Sequence, residues 1–88
     1  MSEDEAINQE VHEFFRRHIE SNRVLDDIKG LLAVLPGDPR VVRRLGERCL
    51  REGRKALRAG HPTESRRLDI LARQLEKHAE QIAERKPG

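Results

Sequence analysis

Apolar residues recur along this chain at steps of three and four, and no stretch alternates with period two. That periodicity predicts helices. Two interruptions divide it. In "LPGDPR", residues 35–40, Pro36 and Gly37 stop one helix. Asp38 then offers an N-cap, and Pro39 suits the first turn of the next. In "AGHPTES", residues 59–65, Gly60 fits the position just past a helix end and Pro62 follows closely. His61 or Thr63 can cap what comes next. The result is three helical segments, about 4–35, 39–59 and 62–85. They predict an all-α antiparallel bundle of three helices in one domain, 1–88, associating further with a copy or a partner.

The first segment has two apolar faces. At 100° per residue, Ile7, Val11, Phe14, Phe15 and Ile19 centre on one direction. Val24, Leu25, Ile28, Leu31, Leu32 and Leu35 centre on another, roughly 100° away. Supercoiling absorbs only about 20° per heptad. Either the helix breaks near Ser21–Asn22, where both residues can cap, or its halves face different partners. A continuous helix would be about 48 Å long, against about 32 Å for the second. Its first third would overhang the bundle. Ile7, Val11, Phe14, Phe15 and Ile19 are therefore the expected apolar contact with a partner. The third segment is simpler. Leu68, Leu71, Ala72, Leu75, Ala79, Ile82 and Ala83 form one core-facing stripe, with Ile70 off it.

The middle segment places Gly46, Cys49, Gly53, Ala56 and Gly60 on one stripe, flanked by Val41, Val42, Leu45, Leu50 and Leu57. Each interior glycine disfavours the helix by about 1 kcal/mol relative to alanine. Small side chains in the middle of an apolar face let a neighbouring helix approach closely, and the larger flanking ones interlock. Close helix packing is the expected compensation; a groove for a ligand or a partner's side chain is the alternative.

Charge sharpens this picture. The 88 residues carry net +2, but unevenly. Residues 1–37 are net −4, residues 38–60 net +5 and residues 61–88 net +1. On the middle helix, Arg40, Arg43, Arg44, Arg48, Arg51, Arg54, Lys55 and Arg58 fill an arc of about 140°, interrupted only by Glu47. Three readings are open. The arc is a solvated face with local pairs such as Glu47 with Arg43 and Arg51. Or it complements an acidic protein surface, including the acidic first helix of another copy. Or it tracks a nucleic-acid backbone. Near-neutral total charge and the lack of nearby aromatics for stacking count against the last. Arg44, Arg48, Arg51, Lys55 and Arg58, in line at steps of three and four, are the expected charged contacts with an acidic partner.

Composition excludes more than it assigns. No 18-residue apolar run exists to cross a membrane. The acidic start has no secretory pattern, and a single cysteine allows no intrachain disulfide, so a cytoplasmic setting is expected. His12, His18, His61 and His78 lack metal-ligand spacing. The carboxylates of residues 3–13 read as an N-terminal turn that complements the helix dipole. Cys49 reads as a packing residue, although two arginines within a turn would lower its thiol pKa. No nucleophile–base pair or Gly-rich phosphate loop is present, so no catalytic role and no cofactor are expected. The hairpin 39–85, a helix, a Gly-containing turn and a Leu/Ala helix, resembles the small helical-hairpin co-chaperones of bacterial secretion systems. These readings predict a small protein-interaction module, namely an adaptor, small chaperone or regulatory subunit. A nucleic-acid-binding accessory protein is the alternative.

Overall fold

The computed structural model describes residues 2–21 and 27–85. Its helices are α1 (Glu3–Phe14), α2 (Ile28–Ala33), α3 (Pro39–Arg58) and α4 (Pro62–Arg85). A π-helical turn, Phe15–Ile19, continues α1. No strand occurs among the described residues.

Local chemistry sets the helix ends. The Ser2 hydroxyl accepts from the Glu5 amide at 3.2 Å, and Glu3, Asp4 and Glu5 place carboxylates at the positive end of α1. Asp27 caps α2 by accepting from the Gly30 amide at 2.9 Å. A β-carbon on Gly30 would lie 2.5 Å from Asp27 Oδ2, so the capping carboxylate would have to shift to admit a side chain there. Asp38 caps α3 at the Arg40 amide, with Pro39 in the first turn as expected. At the other end Gly60 has φ +86°. The His61 amide donates to Ala56 O at 2.8 Å and the Gly60 amide to Leu57 O at 3.1 Å, which is a Schellman closure. His61 also starts α4, its carbonyl accepting from the Ser65 amide. Three residues therefore turn the chain through a hairpin.

α3 and α4 pack antiparallel, and the small stripe of α3 marks the contact. A β-carbon on Gly46 would sit 3.4 Å from Ala72 O, and one on Gly53 would sit 3.4 Å from Ser65 O. At both positions there is room for a methyl group and little more, so the α4 backbone lies close and the ligand-groove alternative is not what the stripe forms. Val41, Val42, Leu45 and Cys49 close against Leu68, Leu71, Ala72, Leu75 and Ala79.

The single helix 4–35 is not found. The Glu20 amide bonds to Phe15 O at 2.8 Å, five residues back, so the turn takes in an extra residue. Ser21 follows in a turn, its hydroxyl donating to Arg17 O at 3.3 Å. The expected break thus falls beside Ser21; Asn22, Val24 and Leu25 lie outside the described residues. α1 also runs parallel to α3: Glu3 meets Arg40, Asp4 meets Arg44, and Phe15 meets Arg48. The segment 20–38 must then carry the chain back to the start of α3, and Leu31 of α2 is buried in the core with Ile28, Leu32 and Leu35 packed against it.

This topology corrects the expected partner contact. Ile7, Val11, Phe14, Phe15 and Ile19 are all buried within the chain itself, between 2% and 8% exposed. Once the first segment breaks and reverses, its two apolar faces no longer need different partners. The first face and the described part of the second, Ile28, Leu31, Leu32 and Leu35, turn into one core.

Candidate interaction surface

α1 lies along one edge of α3, and the contact has an apolar floor and a charged rim. At the rim, Arg40 pairs with Glu3 and, at 3.0 Å, with Asp38. These carboxylates, Asp38 first, push its pKa further up. Arg44 reaches Asp4 Oδ1 at 2.8 Å and Asn8 Oδ1 at 2.9 Å. The Arg48 guanidinium lies 4.9 Å from the Phe15 ring centroid, in cation–π range, and its Nε donates to Glu52 at 3.2 Å. Lys55 joins Glu52 at 3.5 Å. The acidic first helix expected to serve another copy is thus already used within the chain.

The five charged contacts read as one line therefore divide. Arg44 and Arg48 are half-buried against α1 rather than facing solvent. Lys55 is outward but paired with Glu52. Arg51 and Arg58 are exposed, as are Arg43 and Arg54, and these four form no ion pair among the described residues. The expected pairs of Glu47 with Arg43 and Arg51 are not made. A row of four guanidinium groups without an ion pair among the described residues remains on the side of α3 away from the core, with the exposed Glu47 carboxylate among them. From residue 43 to 58 it spans about 22 Å.

Beside that row the surface is apolar. Leu50 is 40% exposed and Leu57 59%. Both were expected among the residues interlocking with a neighbouring helix. They sit at the edge of the apolar arc, and α4 covers only its middle. The juxtaposition with Arg43 and Arg54 on the wheel was the available signal, and it was missed because an arc does not reveal how wide its covering helix is.

Other chemistry is sparse. Cys49 has no exposed surface, and burial pushes its thiol up to about 12. The Arg48 charge acts the other way and is outweighed, so the expected lowering does not occur. Among the described residues no three His, Cys, Asp or Glu side chains are placed to share a metal ion. No described helix is long and apolar enough to cross a membrane. An open groove of about 310 Å³ beside Phe15, Ile19 and Ala56 has Arg48 and Lys55 facing Glu20, Glu52 and Glu64 on its rim. Such mixed charge selects no ligand class. No family model, curated protein or solved structure matches the chain.

Proposed function

We propose that the protein is a helical interaction module, without chemistry of its own, that docks an acidic protein surface on the outward face of α3. The observation behind this reading is the row Arg43, Arg51, Arg54 and Arg58, which outnumbers the single carboxylate beside it, Glu47, and forms no ion pair among the described residues, while the arginines on the α1 side are paired. The α1 contact supports it by example, since α3 already receives carboxylates along its other edge. Exposed leucines beside the row favour protein over nucleic acid, whose contacts are mainly to phosphate and sugar. Each exposed charge pair contributes little, at most about 1 kcal/mol, so the arginines act mainly on approach rate and orientation.

The test is titration of a polyglutamate peptide and of duplex DNA at about 0.15 M salt, with the wild-type chain and the Arg43→Glu/Arg51→Glu/Arg58→Glu variant. Helicity should be unchanged in the variant, because all three side chains are exposed. Weak peptide binding that disappears in the variant is expected. Sub-micromolar DNA binding with a steep salt slope, lost in the variant, would replace this reading with the nucleic-acid one.

A further inference from the structure

Leu50 and Leu57 are seven residues apart, two turns of α3 and about 10 Å. They therefore present one heptad of a helix-packing seam to solvent. Arg54 stands four residues after Leu50 and three before Leu57, so it neighbours both on the helix surface. Arg43 precedes Leu50 by seven and extends the same flank. On the other flank Asp69 of α4 comes in: its Oδ1 would be 3.5 Å from a β-carbon on Gly53. The seam is thus bordered on one side by Arg43, Arg54 and Arg58 with Glu47 among them, a net positive flank, and on the other by a carboxylate.

Resting on the functional reading above, we propose that the acidic partner is an amphipathic helix from a different protein. Its apolar residues, spaced by seven, would seat on Leu50 and Leu57, with carboxylates turned toward Arg43, Arg54 and Arg58. A helix fits because two leucines at heptad spacing match the repeat of another helix, and an extended acidic segment would match only the charges. A second copy fits poorly for two reasons. Antiparallel symmetric pairing through this face sets arginines against arginines, and parallel symmetric pairing opposes Arg43, Arg54 and Arg58 with Asp69. The acidic α1 of another copy already has its apolar residues buried in its own core, leaving only Glu5, Glu10 and Glu13 to offer. Asp69 adds a polarity: a basic residue on the partner's far flank would distinguish the correct rotation of the helix from its reverse.

Two labelled peptides of identical composition test this. One is helical, about three heptads long, with leucine every seventh residue and glutamates on one flank. The other is scrambled so that its leucines do not align. Fluorescence anisotropy with the wild-type chain should show the first binding at least about tenfold tighter, a difference of about 1.4 kcal/mol. Leu50→Gln/Leu57→Gln should remove that preference while leaving helicity intact, and Arg43→Glu/Arg54→Glu/Arg58→Glu should remove binding of both peptides. Equal binding of the two peptides by the wild-type chain, still sensitive to the arginine reversal, overturns the helix while the acidic-surface reading stands. Binding of neither peptide, or DNA binding tighter than either, overturns both. The wild-type comparison does not depend on any variant folding.

Discussion

At Gly53 an added methyl group would meet Ser65 O at 3.4 Å and Leu68 Cβ at 3.5 Å, ordinary contact distances. Alanine therefore fits, and its better helix propensity should raise stability by up to about 1 kcal/mol. Leucine does not fit, because the nearest neighbour is backbone and cannot swing aside. Gly53→Leu should lose about 1–3 kcal/mol through overpacking. Denaturant melts of the two variants check this, and equal tolerance would mean that α4 is not close there. Cys49 makes a second residue-scale case. Its folded-state pKa, about 12, lies above the ordinary thiol value, so the native state holds its proton longer than the unfolded chain does. Its contribution is full below the unfolded pKa, about 8.5, and is lost as pH rises from there toward 12. The wild-type chain should therefore lose more stability between pH 8 and 11 than Cys49→Ala does. A thiol reagent at pH 8 should label Cys49 only as fast as the chain opens.

At the scale of elements, the α1–α3 contact separates two forces. The Asp4–Arg44 pair joins side chains 76% and 36% exposed, so water screens it. Asp4→Ala should cost less than about 1 kcal/mol. Phe15 is 6% exposed, and Phe15→Ala should lose about 3–5 kcal/mol. Chemical unfolding of both variants tests whether apolar burial, rather than charge, holds α1. The same elements show what could be read in advance. Asp38, Pro39 and Gly60 marked the ends of α3 because caps depend on a few adjacent residues. The π turn at Phe15–Ile19 was not legible, since both hydrogen-bond patterns suit that stretch and only the core decides between them. Nor was the parallel course of α1, which depends on where 20–38 takes the chain. That one unseen reversal turned an expected partner surface, Ile7 to Ile19, into interior. On α3 the basic arc was legible as a whole, but its division into neutralised and free arginines depended on α1.

As a whole the molecule is a thin slab, 43 × 29 × 18 Å, about two helices deep. Ile7, Val11, Phe14, Phe15 and Ile19 complete the core instead of projecting from it. Light scattering at micromolar concentration should accordingly give one chain, 10.2 kDa; a stable dimer would show that another face is sticky. The three-residue turn at Ala59–His61 also has a kinetic consequence. Contacts between α3 and α4 close a short loop, whereas Arg44 and Asp4 must find each other across 40 positions. Folding should begin at the hairpin, with α1 arriving last. The order reverses on opening, and amide hydrogen exchange should be faster in α1 than in the middle of α3. The first partial opening of this protein would therefore release an acidic strip and bare the guanidinium groups beneath it, so that a brief loosening changes its electrical face before it changes its shape.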